Sequence, residues 1–325
     1  MILIADSGST KTDWLVIEGG ERNGFQTIGL NPYFLTEEEI SQRISEDVAV
    51  ALDPNKIEHV YFYGAGCGIV EKQQIVQRAI ASSVKEACIE VNSDMFGAAR
   101  SLFQEEKGIA CILGTGANSC VYDGNSIVDN VSSLGYILAD WGSGAVLGKE
   151  LMSAILLRKL PTEVLQDFYD RYQLSRVQIL ERIYRSPMPN RFLASFVPFL
   201  NDWKETEECR HILKDSFSKF LDYYVLSYKE AEEGAEVRFV GSIAYHFREL
   251  LQETSEEKGV NMGLIQKQPI AGLETFHKGC SENILNGNTL NGKVLTETTT
   301  AMNGKVIEVT PQFRSETTFS ATKEK

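Results

Sequence analysis

The chain opens with short apolar runs that glycine and hydroxyl residues close off. Ile2-Leu3-Ile4-Ala5 leads into Asp6-Ser7-Gly8-Ser9-Thr10-Lys11-Thr12-Asp13, and Trp14-Leu15-Val16-Ile17 is apolar again. A buried run, a turn and a restarted run predict two strands joined by a hairpin. Strands are predicted at 2–5, 13–18 and 25–29, the third ended by Asn31-Pro32. Thr36 and Glu39 have the spacing of a capping box, and Ile40, Ile44, Val48 and Leu52 then recur every four residues, which predicts a helix to about Leu52. Val60-Tyr61-Phe62-Tyr63 is a fourth strand running into Gly64-Ala65-Gly66-Cys67-Gly68. A helix from about Glu71 to Lys85, a fifth strand at Ile89-Glu90-Val91 and a helix from Asp94 to Phe103 follow. Strands in hairpin order and then strand–helix alternation indicate an α/β fold with a mixed sheet covered by helices.

The same grammar then returns. Ile109-Ala110-Cys111-Ile112-Leu113 is a buried strand, Gly114-Thr115-Gly116-Ala117-Asn118-Ser119 a glycine and hydroxyl turn, and Cys120-Val121-Tyr122 a restarted strand. Two such units, each opening about half of the chain, suggest two related domains whose turns face one another across a cleft. From about 143 to 233 the pattern is helical, and Ser216 to Ala231, rich in Tyr and Phe, continues it. Val237-Arg238-Phe239-Val240 is a strand that breaks at Gly241-Ser242 into a helix, and Leu264 to His277 reads as a final strand and short helix. From about Ser281 Thr, Asn, Ser, Gly and Lys dominate, a composition that predicts an appended, weakly structured tail or a pair of exposed hairpins.

Composition narrows the classes. A chain of 325 residues with 43% apolar content is expected to form two domains. Lys and Arg number 32 against 45 Asp and Glu, and the net charge of −13 argues against nucleic acid or an anionic membrane as partner. With no basic leader and no apolar stretch of membrane-spanning length, a cytoplasmic location is expected. Six cysteines without a CxxC pair read as buried reduced thiols, and four scattered histidines give no zinc-ligand spacing.

The first turn joins two strands, which excludes the usual phosphate loop that opens a helix. It still offers a phosphate a row of N–H groups that Gly8 lets approach closely, hydroxyls at Ser7, Ser9 and Thr10, and the cation of Lys11. Asp6 at the strand end is placed to hold Mg²⁺ through water. A hairpin turn held by local hydrogen bonds is the competing account. At Gly241-Ser242, strand, glycine and helix start offer bare backbone to a flat base or ribose, against a plain corner between strand and helix. Asp94 opens a helix straight after a strand, either as a cap, a duty Ser93 can also fill, or as a carboxylate held at a cleft edge.

Three glycine-centred turns near residues 8, 116 and 241 have the order of the phosphate-1, phosphate-2 and adenosine motifs of the sugar kinase, heat-shock ATPase and actin superfamily. Within it the chain resembles the N-acetylglucosamine kinase and BadF/BadG type ATPase family. The residues that carry this are Asp6 to Trp14, Gly114 to Ser119, Gly135-Tyr136-Ile137-Leu138-Ala139-Asp140-Trp141-Gly142-Ser143-Gly144 and Val240-Gly241-Ser242. The resemblance covers about 1–278. It implies two ribonuclease-H-like (actin-like ATPase) domains, residues 1–108 plus about 268–280 and residues 109–267, with a nucleotide cleft between them. It also implies ATP and Mg²⁺ in that cleft, an amino sugar beside them, and a homodimer. Asp94 matches the catalytic carboxylate that takes the proton of a sugar hydroxyl. Thr10 and Lys11 match positions that address the terminal phosphates; Gly114, Thr115 and Gly116 those that hold the β- and γ-phosphates; Asn31, Asn118 and Asp140 those that hydrogen-bond the sugar.

Two departures stand out. Asp140-Trp141-Gly142-Ser143 replaces the common Asp-Glu-Gly-Ser, an indole for a carboxylate on the sugar side, and Gly241-Ser242 replaces a pair of glycines. The expected function is an ATP-dependent sugar kinase acting on the primary hydroxyl of N-acetylglucosamine or a related amino sugar. The alternatives are a BadF-type ATPase activating a partner enzyme through a shared iron–sulfur cluster, with Cys67 or Cys120 as ligands, and a sensor that binds ATP or sugar without chemistry.

Overall fold

The structure, a computed structural model, describes residues 1–8, 10–48, 52–84 and 86–285, with side chains through residue 278. β1 (Ile2–Ser7), β2 (Lys11–Glu18) and β3 (Glu21–Ile28) form antiparallel hairpins, and β4 (His59–Gly64) and β5 (Cys88–Ser93) extend the sheet in parallel, in the order β3-β2-β1-β4-β5. Between them lie α1 (Glu37–Arg43), which carries on as a π-helical turn over Ile44–Val48, and α2 (Val70–Ser83); α3 (Asp94–Phe103) follows β5. The capping box forms as predicted: Glu39 N–H donates to the Thr36 hydroxyl, and Thr36 N–H to the Glu39 carboxylate.

The second sheet repeats this plan. β6 (Gly108–Leu113), β7 (Ala117–Tyr122) and β8 (Ile127–Asp129) are antiparallel, while β9 (Val237–Val240) and β10 (Met262–Gln266) add in parallel, in the order β10-β9-β6-β7-β8. Between β8 and β9 come α4 (Gly135–Leu138), α5 (Gly144–Leu156), α6 (Thr162–Tyr172), α7 (Arg176–Tyr184), α8 (Pro189–Ala194), α9 (Val197–Asp202), α10 (Glu207–Phe220) and α11 (Lys229–Glu232). α12 (Ser242–His246) and α13 (Arg248–Glu257) join β9 to β10, and α14 (Ile270–Leu285) follows β10.

Several boundaries differ from the sequence reading. β2 and β7 begin two and three residues earlier than predicted, at Lys11 and Ala117, because their polar residues alternate with buried ones and pair across the hairpin. Asn118 therefore lies in β7 and not in the turn. β8 was not anticipated; three residues are too few to show a period. The helical pattern expected over 216–231 is made up of the end of α10, a π-helical turn at Leu221–Val225 and α11. α14 runs past the predicted end of the fold to Leu285, and the tail from 286 lies outside the described residues.

Each sheet buries two faces. On the first, Leu3, Ala5, Trp14, Val60 and Phe62 pack with Ile40, Ile44, Val76 and Ile80 of the covering helices. On its other face Ile4 and Tyr63 meet Leu273 of α14. The second sheet packs Ile109, Cys111, Leu113 and Phe239 against its helical layer, and its other face, with Ala110, Cys120, Tyr122 and Val240, takes Met95, Ala98, Leu102 and Phe103 of α3. The last helix after each sheet thus packs on the other sheet. The two cross where Gly272 lies against Ser101 so closely that a Cβ would strike the Ser101 carbonyl and hydroxyl oxygens.

Candidate active site

Parallel pairing puts the ends of β1, β4 and β5 on one edge, with Ser7, Gly64 and Ser93 in register. Successive side chains leave a strand on opposite faces, so Asp6 and Ser7 diverge. The Ser7 hydroxyl is fully buried, shares a hydrogen bond with the Thr12 hydroxyl (2.8 Å) and accepts from Leu30 N–H (3.0 Å). It braces the turn from beneath, which corrects the expectation that this hydroxyl meets a phosphate. The turn itself is closed by Gly8 N–H donating to the Lys11 carbonyl (2.9 Å); Gly8 and Thr10 face solvent, and Ser9 lies outside the described residues.

Asp6 sits on the face toward α3, directly opposite Asp13 in the β1–β2 pairing. Lys11, two residues before Asp13 and on the same face, sets its ammonium 2.8 Å from the Asp13 carboxylate. Asp13 had no role in the sequence reading, although a Lys-x-Asp spacing on a strand is the signal for such a pair. Desolvation first, then the Asp94 and Asp13 carboxylates, push Asp6 up to about 7, with Lys11 pulling the other way. Asp94, the first residue of α3 after β5, thus lies near enough for its charge to act on Asp6. Ser93 takes the cap, its hydroxyl accepting from Phe96 N–H (3.2 Å), so Asp94 is the first helical residue and is spared that duty. Its carboxylate accepts from Met95 N–H (2.9 Å), and desolvation outweighs that bond and raises its proton affinity. Cys67 adjoins it, its thiol pushed up to about 12 by burial and then by Asp94.

The C-terminal end of α3 lies over the starts of β6 and β9. Tyr122 O–H donates to the Gln104 carbonyl (3.1 Å), the Arg238 guanidinium to the Leu102 carbonyl (2.8 Å), and Gly108 packs on the Phe103 ring. The helix therefore runs back toward the far ends of those strands, where the second turn lies. Gly114 N–H donates to the Gly116 carbonyl (3.0 Å), and the carbonyls of Gly114 and Thr115 accept from Gly144 (2.8 Å) and Ala145 (3.1 Å) at the start of α5. Gly241 completes this edge. Its N–H donates to the Gln266 carbonyl (3.0 Å), its φ is +127°, and a Cβ would collide with the Leu113 carbonyl oxygen. Only glycine fits there. Ser242 opens α12 and is exposed.

The sugar-side residues are less alike than the sequence reading had them. Asn31 is buried, its Oδ1 accepting from Tyr33 N–H (2.9 Å) against the loop at Gly66. Asn118 accepts from Ser119 N–H (2.9 Å) and the Asn130 amide (3.2 Å). Asp140, buried in left-handed backbone at φ +53°, accepts from the Ser133 hydroxyl (3.0 Å), Gly135 N–H (3.1 Å) and Ala117 N–H. It ties the 133–135 loop to the second turn. The Trp141 indole, where the family commonly has Glu, packs on the large core with the ammonium groups of Lys219 and Lys149 at 4.8 and 5.6 Å from its ring. A cavity of about 500 Å³ lined by Pro32 to Glu37, Lys72, Ile75 and Arg78 opens beside the Asn31 segment, and none of the predicted site residues lines it.

Among the described residues no three His, Cys, Asp or Glu side chains gather to hold a metal directly, and no helix is long and apolar enough to cross a membrane. The donor set still fits a hydrated Mg²⁺ with a phosphate chain: at Asp6 three carboxylates face one ammonium, and the glycine turns leave bare backbone at the strand ends.

Two mixed sheets of identical strand order, each led by a hairpin whose turn opens on the same kind of edge, define an actin-like ATPase fold. A solved protein from Porphyromonas gingivalis, provisionally named an N-acetylglucosamine kinase, is 41% identical and superposes with a TM-score of 0.82, over 86% of this chain and 99% of that one. The chain belongs to the N-acetylglucosamine kinase and BadF-type ATPase family. A Chromobacterium violaceum protein, provisionally given the same name, shares the fold at a TM-score of 0.64 and 13% identity, over 85% of this chain and 98% of that one. No family model and no curated protein matches the chain.

Proposed function

We propose that the protein is an ATP-dependent sugar kinase that phosphorylates the primary hydroxyl of N-acetylglucosamine or a related amino sugar. The observation that carries this reading is that Asp94 opens α3 at the end of β5, on the strand edge that Ser7 and the first turn share, while the other end of the helix lies over the second sheet. In it the first domain is residues 1–108 plus about 268–280 and the second 109–267. Gly8, Thr10 and Lys11 hold the terminal phosphates from one side, Gly114, Thr115 and Gly116 from the other, and Gly241 and Ser242 give the adenosine a bare surface. Mg²⁺ bound through water at Asp6 supplies positive charge against the phosphates. Asp94, desolvated and free of the capping role, takes the proton of the attacking hydroxyl as its oxygen approaches the γ-phosphorus. N–H groups of the second turn are fixed before charge develops in transfer, so they stabilise it without reorganising. Asn31, Asn118 and Asp140 form the sugar wall, with Asp140 also bracing the turn.

The partner-activating ATPase is disfavoured because Cys67 and Cys120 are both fully buried, out of reach of a cluster shared with a second chain. Incubation of the protein with Mg²⁺, ATP and a panel of amino sugars tests the kinase reading. Sugar-dependent ADP release is expected, greatest with N-acetylglucosamine or a close relative. No release above the sugar-free rate with any sugar refutes it.

A further inference from the structure

α3 carries Asp94 at its first position, yet the helix offers little for its neighbours to grip. Gly97, Ala98, Ala99 and Ser101 are small and buried, and a small-residue surface fixes the separation of packed elements better than their position along one another. Two polar side chains anchor the helix: Ser101, whose hydroxyl reaches Gln266 Oε1 (2.8 Å) and the Pro269 carbonyl (2.9 Å), and Arg100. The Arg100 guanidinium donates to the Tyr63 hydroxyl on β4 (2.7 Å) and the Glu90 carboxylate on β5 (2.7 Å), and the Tyr122 hydroxyl on β7 lies near enough to feel its charge. It also lies over the Phe96 ring (4.2 Å) and the Phe276 ring of α14 (4.8 Å). Both sheets and both crossing helices thus meet at one side chain.

Arginine can only donate, so Tyr63 accepts from it, and the same hydroxyl shares a hydrogen bond with His277 Nε2 (2.9 Å). The Tyr63 ring lies flat on α3 at Gly97, where a Cβ would come 2.8 Å from it. Tyr63 therefore grips the helix twice, by its ring and through Arg100. The arrangement is not one that stability alone selects. The Arg100 Nε is buried without a hydrogen-bond partner, while Glu90 is exposed enough for water to screen the ion pair, which then contributes little stability.

We propose that Arg100 is a positioning residue for phosphoryl transfer: by pinning α3 to both sheets and to α14 it sets where the Asp94 carboxylate stands. This rests on the kinase reading with Asp94 as base. A displacement of ~1 Å far from the reacting atoms costs up to ~100-fold in rate, and the first turn of α3 is held by the Ser93 cap and by the packing of Met95 and Phe96, with no further ion pair of its own.

The test is steady-state kinetics of Arg100→Met, Arg100→Lys and Tyr63→Phe beside Asp94→Asn, with melting temperatures. For Arg100→Met the expected result is a kcat lower by about 10- to 100-fold, with KM for ATP and sugar within about threefold because the phosphate turns and sugar wall are untouched. Arg100→Lys falls between it and the wild type. Tyr63→Phe keeps the ring on Gly97 and loses the hydroxyl, so its kcat falls less; it decides the matter should Arg100→Met not fold. A folded Arg100→Met, or in its place Tyr63→Phe, with unchanged kcat while Asp94→Asn is inactive overturns this inference alone. Full turnover in Asp94→Asn overturns the base assignment and the inference with it.

Discussion

Asp6 is held under conditions that favour its protonated form. Asp6 is raised from an ordinary carboxylate value to about 7, chiefly by desolvation and then by Asp94 and Asp13. A group with a raised folded-state pKa binds more protons folded than unfolded between the two values, so stability falls as pH rises from about 4 through about 7. Asp6→Asn removes that dependence. Its melting temperature is expected to exceed that of the wild type at pH 8 and to converge with it near pH 4, while Mg²⁺ raises the melting temperature at pH 8 in the wild type only. A variant no more stable than the wild type at pH 8 contradicts the crowded-carboxylate account. Ser93 caps the helix at Phe96 N–H, and the Asp94 carboxylate, although it accepts from Met95 N–H, keeps a second oxygen as acceptor.

At the scale of elements, each β-turn-β unit works as a platform because what surrounds it holds it rigidly. The first turn stands on the buried Ser7 and Thr12 hydroxyls. The second is clamped between the start of α5 and Gly241, whose backbone passes so close to Leu113 that any side chain must push the two strands apart. Gly241→Ala adds a Cβ both in collision with that carbonyl and at a φ of +127°. It is expected to raise KM for ATP by about tenfold or more and to lower the melting temperature, the two measured on the same preparation, since strain of this kind costs ~1–3 kcal/mol. A variant with a wild-type KM for ATP separates Gly241 from the nucleotide site. Ser242 beside it is exposed and packs on nothing that a second glycine would relieve, which accounts for its tolerance at this position.

At the scale of the molecule, the duplicated plan was legible in the sequence because both hairpin units use the same sign: a buried run, a glycine and hydroxyl turn, and a restarted run. The strand order of the two sheets follows from that repeat, and the family comparison agrees with it. What the chain hid were facts of the third dimension. The period of β1 does not say which face meets water, so Ser7 was given a phosphate when its hydroxyl lies under the turn. The pattern of Asp140 gives its type but not the three donors it already satisfies. Arg100 reads as one charge on an amphipathic helix, and its partners come from β4, β5, β7 and α14, separated from it by up to 176 residues of chain. The return of α14 to the first sheet leaves no local mark and was expected only from the resemblance, while the packing of α3 on the second sheet was not anticipated.

The account turns on one carboxylate and one hydroxyl. A crystal structure with ADP, Mg²⁺ and N-acetylglucosamine is predicted to place the primary hydroxyl of the sugar within ~3.2 Å of the Asp94 carboxylate, with the nucleotide phosphates between the turns at Gly8 and Gly116. A sugar bound with every hydroxyl beyond reach of Asp94, or phosphates held away from both turns, would contradict it.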